Sequence, residues 1–535
     1  MKTSGVVFFL VVAFFCPELC AQGDQAKLKR KRDDAEQLFD QFEYFKAIEL
    51  YEEIASVQDD PFIYMKTALS YYKVGDLQSA EEWYRKATVA ELPVEEQFNF
   101  AEVLMGNGKY EEARKWYELY SQNAPHDNRT KKKLAFMDQM AVYHKNETGY
   151  EVHIIDINSI YADFGSAFYE GGIIFASARE EVAQGKRYGR TNSAYLDIYL
   201  SEYTNDSILG TPKKFSKVVN TKYHEGPAVI YDSGNQMIFT RNNFHGSASK
   251  NEDNTIHLQL FHTSKTEKGL WSKPVLLDLV EDKYSVGHPS VSQDGKQLYF
   301  SSNIPGGFGG TDLYVSQFSN ETWGAPMNLG NEVNTEGNEM FPFMSEEGVL
   351  YFASDGHGGL GGMDVFRTSL MQQRGVENLG KPINSARDDF GFVLHSDGDW
   401  GYFSSNRPGG VGDDDIYRFT VKEPEPPEEV IPEEIVVKDT AIVVEYVYTV
   451  QILALLNPKT VYIEFLQDLE GVLKHDGRDG FHRYTFGEYT GLDKALETLE
   501  IIRSKGYHDA FIRKVARYPE LSHGPGRDVR KLLNQ

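Results

Sequence analysis

One motif, repeated five times, constrains this chain more than any other feature. It reads Ile173-Ile174-Phe175-Ala176-Ser177, Met237-Ile238-Phe239-Thr240-Arg241, Leu298-Tyr299-Phe300-Ser301-Ser302, Leu350-Tyr351-Phe352-Ala353-Ser354 and Gly401-Tyr402-Phe403-Ser404-Ser405. The five phenylalanines are 64, 61, 52 and 51 residues apart. A turn precedes each copy: Glu170-Gly171-Gly172, Asp232-Ser233-Gly234, Asp294-Gly295, Glu347-Gly348 and Asp397-Gly398. Acid–glycine pairs between alternating apolar runs are hairpin signals. In three copies a glycine-rich loop follows, from Pro305, His357 and Pro408 to Asp312, Asp364 and Asp415, and leads into a strand such as Leu313-Tyr314-Val315. Four short strands in each unit of roughly 50 residues predict a propeller blade. The expectation is an all-β propeller over residues 149–421, with five blades and six as the alternative. Val152–Ile157 ends in Ile157-Asn158-Ser159, echoing Val219-Asn220-Thr221, Val333-Asn334-Thr335 and Ile383-Asn384-Ser385. Nothing comparable follows Tyr417, so the N-terminal strand is expected to complete the last blade and remove two exposed edges.

Residues 22–148 carry a different period. Ala47, Ala80 and Ala113 recur every 33 residues, as do Tyr51, Tyr84 and Tyr117; Gly75 and Gly108 keep the same step. A small residue suits the contact between antiparallel helices, and an aromatic one turn on fills the gap to the next unit. Asp127–Tyr143 is amphipathic and reads as a capping helix. Such an array presents a groove for a peptide or helix, or serves as a spacer.

Residues 1–21 read as a signal peptide: Lys2, the apolar run Val6–Phe15, and Leu19-Cys20-Ala21 as the cleavage site. Lipidation at Cys20 is the alternative. Both cysteines, Cys16 and Cys20, lie in this segment, so the mature chain has no disulfide, thiol nucleophile or cysteine metal site. The net charge of −25 argues against a nucleic-acid partner, which needs a basic face. No apolar run of about 20 residues follows the leader, so no transmembrane segment is expected in the mature chain. Export and acidity together suggest the periplasm, in association with the outer membrane or cell wall.

Residues 422–445 form a linker rich in proline and glutamate, a self-repelling spacer. Residues 446–516 read strand–helix–strand–helix–strand, with helices expected at Thr460–Val472 and Leu492–Lys505, and 517–535 form a tail.

No Gly-x-Ser-x-Gly, His-Glu-x-x-His or P-loop motif occurs. Asp163, Glu225, Glu339, Asp388 and Asp389 precede the innermost strands, and paired channel carboxylates are glycosidase chemistry. They recur with the repeat, as structural residues do; blade three has Gly287-His288 instead. Asp197, Asp312, Asp364 and Asp415 recur before the third strands, where an Asp caps its own tight turn. The run Asp413-Asp414-Asp415 is the one place worth testing for an ion. No cofactor and no metal site are expected.

The repeats resemble known families. The strings DGKQLYFSSNIPGGFGGTDLY and DGDWGYFSSNRPGGVGDDDIY resemble WD40-like blades of the TolB type. The period-33 region resembles tetratricopeptide repeats, three of them over Asp33–Pro125. YTVQILAL, HRYTFGEYTGLDKALETLEIIRSKGY and DAFIRKV resemble the SPOR domain. That last resemblance implies a small βαββαβ fold and binding to peptidoglycan through Gln451, Arg483, Tyr484, Phe486 and Tyr489. Tyr484 and Phe486 share one strand face, so either both stack on sugar or both enter the core. The whole resembles Bacteroidetes accessory proteins of outer-membrane secretion and gliding machines. It implies a non-enzymatic periplasmic scaffold that binds a periplasmic or outer-membrane protein through the helical repeats and propeller, and peptidoglycan through the last domain. The alternative is a periplasmic glycan hydrolase with a wall-binding module.

Overall fold

A computed structural model of the chain describes residues 17–140, 149–179, 187–204, 208–243, 256–371 and 375–422. It also describes 445–455, 466, 469, 471–476, 482–508, 510–517 and 527–528. Most of the leader, the linker and most of the first C-terminal helix expected from the sequence lie outside the described residues. The chain divides into two compact units, Met1–Pro426 and Pro427–Gln535.

The first unit is mostly β. Blade one comprises β2 (Asp163–Tyr169), β3 (Gly172–Ser177), β4 (Asp197–Glu202) and β5 (Lys213–Lys214). Blade two comprises β6 (Glu225–Tyr231), β7 (Gln236–Asn242), β8 (Leu258–Ser264) and β9 (Val275–Leu276). Blade three runs from β10 (Val286–Val291) through β11 (Gln297–Ser302) and β12 (Asp312–Ser319) to β13 (Thr322–Trp323) and β14 (Met327–Asn328). Blade four holds β15 (Glu339–Met344), β16 (Val349–Ser354), β17 (Asp364–Ser369) and β18 (Glu377–Asn378). In blade five, β19 (Asp389–Leu394), β20 (Trp400–Ser405) and β21 (Asp415–Val421) are joined by β1 (Tyr150–Ile154). β1 pairs antiparallel with β21, from Tyr150 opposite Val421 to Ile154 opposite Tyr417. The ring therefore closes with strands from both ends of the propeller sequence.

The repeated motif is the second strand of each blade. Its phenylalanines, Phe175, Phe239, Phe300, Phe352 and Phe403, are all buried. Each faces an aromatic from the third strand, at centroid distances of 6.3 Å (Tyr199), 6.1 Å (Phe261 and Tyr314), 6.0 Å (Phe366) and 5.6 Å (Tyr417). Offset ring pairs at such distances are favourable beyond the area they bury.

The glycine-rich loops have a packing reason. A Cβ on Gly309, Gly361 or Gly412 would run into the carbonyl oxygens of Gly337, Arg387 and Tyr161, each in the loop that opens the next blade. Backbone meets backbone there, and only glycine leaves room.

Seven helices precede the propeller: α1 (Pro17–Asp40), α2 (Tyr44–Ala55), α3 (Pro61–Val74), α4 (Leu77–Ala87), α5 (Val94–Gly106), α6 (Tyr110–Asn123) and α7 (Arg129–Met137). Asp60 caps α3 by accepting from the Phe62 N–H at 2.9 Å, and Gly75, at φ +86°, ends it. The alanines and tyrosines of the 33-residue period are buried between the helices.

The expected fold class, an α-helical tetratricopeptide array with an all-β propeller and a small α/β domain, requires correction. Only eight helices occur among the described residues, and α3 to α7 share a core with a loop of the propeller, whereas α1 and α2 pack in a separate cluster. Leu360, from the glycine-rich loop of blade four, is 0% exposed within the helical core. Gly358 packs on Phe136 and on the Lys132 carbonyl, and Arg387 donates to Asn107 Oδ1 at 3.2 Å. Part of the helical surface is thus covered by loops of blades four and five.

In the second unit, β22 (Glu445–Leu455), β23 (Val472–Asp476), β24 (His482–Tyr489), β25 (Phe511–Arg517) and β26 (Arg527–Asp528) form a sheet in the order β25-β22-β24-β23-β26. Helix α8 (Leu492–Ser504) contributes Leu499 and Ile502 to its core, with Val450 and Tyr484.

Replacing Leu360 by alanine leaves a cavity shared by helices and propeller, a cost of about 2–5 kcal/mol. Thermal unfolding should show one destabilised transition in both the helical far-ultraviolet signal and the aromatic near-ultraviolet signal. An unchanged helical transition would mean that the helices stand alone.

Candidate functional site: the propeller channel

The acids expected to flank the channel are tied into the blade junctions. Asp163 accepts from the Ser159 N–H at 2.5 Å and from Arg179 at 2.6 Å. Glu225 accepts from the Thr221 N–H and hydroxyl at 2.9 and 2.6 Å and pairs with Arg241 at 3.0 Å. Glu339 is held by Thr335 and Ser354, and Asp389 by the Ser385 N–H and Arg407. All four are 0% exposed. Asp388 accepts from the Met363 N–H and Asn406. These carboxylates position loops and present no free oxygen to a substrate.

Of the other recurrent acids, Asp197 pairs with Lys214 at 2.8 Å and the remaining three cap their own turns. Asp312 accepts from the N–H groups of Phe308 and Gly309, Asp364 from that of Gly361, and Asp415 from those of Val411 and Gly412. Burial among other acids pushes Asp414 up to about 7. No group of three or more His, Cys, Asp or Glu among the described residues is arranged to hold a metal ion.

The channel itself is shaped by a device that recurs in every blade. The innermost strand shifts register against its neighbour at one place: between Phe164 and Ala167, Glu225 and Ala228, Gly287 and Ser290, Met340 and Phe343, and Phe390 and Val393. A bulge re-aims the side chains that follow it. Gly165 and Gly391 take the left-handed conformation in blades one and five, at φ +66° and +62°. In blades three and four that position is held by His288 (φ +53°) and Phe341 (φ +52°). Non-glycine residues are held there only where the surroundings determine them. Their rings stack at 3.8 Å with an interplanar angle of 13°, and Phe341 also packs on Phe390 at 4.8 Å. His288 Nδ1 lies 2.9 Å from Ser301 Oγ, and burial lowers the imidazole pKa to about 4, leaving the ring neutral at pH 7.

This aromatic pair forms the floor of a cavity of about 550 Å³ that opens at the hairpin end of the strands. Its walls include Phe168, Pro227, Pro289, Phe343 and Phe392. Asp232 of blade two and Glu346 and Glu347 of blade four stand at the opening, and Gln293 donates to Glu346 at 3.1 Å. The sequence reading passed over these acids as turn residues. The available signal was the departure from the repeat: Gly287-His288-Pro289 and Met340-Phe341-Pro342 stand where blade five has Phe390-Gly391-Phe392.

The C-terminal residues expected to form a glycan surface fall on both faces of their sheet. Tyr484 is fully buried, and Phe486 and Tyr489 pack against the same core. Gln451 alternates with the core residues Val450 and Ile452 and accepts from Arg513 at 2.9 Å. Arg483, next to Tyr484 on the strand, points to that second face. Both aromatics of the shared strand face therefore belong to the core.

No family model matches the chain, and no curated protein does. The resemblances to tetratricopeptide, WD40-like and SPOR families, and to Bacteroidetes accessory proteins, thus have no support. Solved structures with similarity in fold include an α-L-arabinofuranosidase from Podospora anserina in complex with cellotriose, at TM-score 0.33 and 10% identity, covering 52% of this chain and 98% of that one. A putative glycoside hydrolase from Parabacteroides distasonis matches at TM-score 0.33 and 11% identity, covering 52% and 99%. A puromycin-hydrolyzing peptidase from Mycobacterium tuberculosis matches at TM-score 0.29 and 11% identity over 47% of this chain, which spans only 35% of that chain's length. These are enzymes, and the expectation of a non-enzymatic scaffold, with its keywords, is set aside. At such TM-scores the likeness assigns no activity; what the channel can do follows from its own residues.

Glu225→Gln should cost about 3 kcal/mol by leaving Arg241 unpaired in a buried site, read as a lower midpoint in denaturant. His288 supplies a pH test. In the unfolded chain its imidazole takes up a proton below about 6.5, and in the fold only below about 4. Its contribution to stability is therefore lost as pH falls from 6.5 towards 4. Relative to the wild type, His288→Asn, whose residue tolerates the left-handed backbone, should gain up to about 1.4 kcal/mol per pH unit across that window. Parallel stability–pH curves would show that the ring titrates freely.

Proposed function

We propose that this chain is an exported glycan hydrolase whose substrate enters the propeller channel at the hairpin end. One observation carries the reading: a closed-bottomed channel with aromatic and proline walls has carboxylates from two blades at its opening. A sugar ring offers apolar C–H faces and a rim of hydroxyls, so such walls and such a rim complement it. Asp232 and the pair Glu346 and Glu347 supply the two carboxyl groups that glycoside hydrolysis needs. One, protonated, gives its proton to the departing glycosidic oxygen as the C–O bond breaks. The other takes a proton from the water whose oxygen forms the new bond to the anomeric carbon. One water is consumed, and the two carboxyl groups exchange protonation states, which solvent restores.

The periplasm as the site of action rests on the N-terminal leader motif, and wall glycan is the first substrate to try. Purified protein should release reducing ends from wall glycan or from a neutral polysaccharide. Asp232→Asn, Glu346→Gln and Glu347→Gln should separate roles, with loss of either essential group lowering turnover by about 10²- to 10⁴-fold. These residues lie in surface turns at the channel mouth, so the variants should keep the wild-type melting temperature. Absence of turnover on every such glycan, together with absence of binding, would overturn the proposal.

A further inference from the structure

The channel mouth continues sideways. A cleft of about 780 Å³ lies between blades two and three, and its lining shares Tyr231, Asp232 and Gln293 with the channel. The two spaces therefore meet at the carboxylate rim. The cleft sits at the junction where the repeat departs most. Blade two has Gln259 in place of the recurrent third-strand Asp, and the stretch from Leu277 to Tyr284 replaces the asparagine-containing loop of the other junctions.

Its chemistry is specific. Trp323 and Phe318 meet at a centroid distance of 5.0 Å on one wall, and Phe318 is 41% exposed. His262, held by Gln236 at 2.7 Å, also lines the space. Among the described residues, Asp232, Asp278, Asp294 and Glu321 line it against a single cation, Lys296. Aromatic surface takes the faces of sugar rings, and the excess of carboxylates repels an anionic polymer. The channel floor is closed by His288 and Phe341, so a polymer cannot thread through; only its end can enter.

We propose that the cleft between blades two and three binds the body of an uncharged or cationic polysaccharide chain whose end lies in the channel. This rests on the channel reading above and makes the protein an end-acting enzyme with a preference for long, non-anionic chains.

The test uses the full-length protein and titration calorimetry with β-1,4-linked dimers and hexamers of N-acetylglucosamine and of glucose, plus a galacturonate hexamer as the anionic probe. At least one neutral hexamer should bind about tenfold or more tightly than its dimer. Trp323→Ala and Phe318→Ala should each lower that hexamer-to-dimer ratio about two- to tenfold, as expected for losing one ring contact. Phe318 is the more exposed of the two, so its variant remains informative if Trp323→Ala fails to fold. Galacturonate should bind about tenfold more weakly than the neutral hexamer, and Asp278→Lys should narrow that gap. Equal affinity for dimer and hexamer, or a ratio unchanged in both aromatic variants, overturns the cleft. Failure of the channel is distinct: Phe343→Ala then leaves the affinities of both oligomers unchanged. Binding of neither length overturns both proposals.

Discussion

At four of the five junctions one asparagine side chain holds a blade to the next. Asn158 Oδ1 accepts from the Ile416 N–H at 2.9 Å, and its Nδ2 donates to the carbonyl of the same residue at 2.9 Å. Asn220 does this to Ile198, Asn334 to Leu313 and Asn384 to Val365. Each bridge satisfies an N–H that the short outer strand leaves without a partner, and adds a second donor to a carbonyl that already accepts from the outer segment, as Ile198 does from the Phe215 N–H at 2.9 Å. A side-chain N–H donor then covers the carbonyl before each asparagine: Arg179 on Ile157, Arg241 on Val219 and Arg407 on Ile383. In blade four His357 serves, donating to Val333 at 2.8 Å. These junctions use the recurrent acids, which is why acids at the starts of the inner strands are unavailable for chemistry.

That accounting separates structure from function. A residue that recurs from blade to blade serves to close the ring; one present in a single blade is free to do something else. By this test Asp163, Glu225, Glu339 and Asp389 belong to the ring. His288, Phe341 and the blade-two junction do not. At that junction the asparagine is absent, and Gln259 Nε2 instead reaches the Tyr284 carbonyl at 2.8 Å. The exception lies beside the cleft that opens onto the channel mouth.

Much of the propeller was legible because its determinants are local and repeated. The five phenylalanine strands, the acid–glycine hairpins and the Asn-Ser/Thr echo that placed the closing strand are all patterns of adjacent residues. The turn-capping role of Asp312, Asp364 and Asp415 followed from the glycines before them. The helical region misled because its 33-residue period reports how helices pack on one another and says nothing of what their outer surface meets. Leu360 lies more than 200 residues beyond the helices it packs against, and no local pattern announces it. The channel mouth was missed for a related reason. Glu346-Glu347-Gly348 reads as an ordinary hairpin turn, and only the ring brings it to the opening that Asp232 also borders. In the C-terminal unit, alternation placed Tyr484 and Phe486 on one face but could not say which face was inward.

The helical layer has a consequence for the direction of binding. It packs on the glycine-rich loop of blade four and on the loop that precedes the inner strand of blade five, where Gly358 and Leu360 meet the helical core and Arg387 meets the end of α5. That is the end of the channel beneath the His288–Phe341 pair. A bare propeller has two faces through which a ligand could approach. Here the aromatic pair blocks the bore and helices overlie part of one face, while the hairpin face keeps its carboxylates. The left-handed backbone of both floor residues shows that the block is maintained at a conformational cost of order 1–3 kcal/mol each. Glycine, which blades one and five use at the same position, would remove that cost and open the bore. Retaining two bulky rings there makes sense where a closed channel matters more than the stability it forgoes.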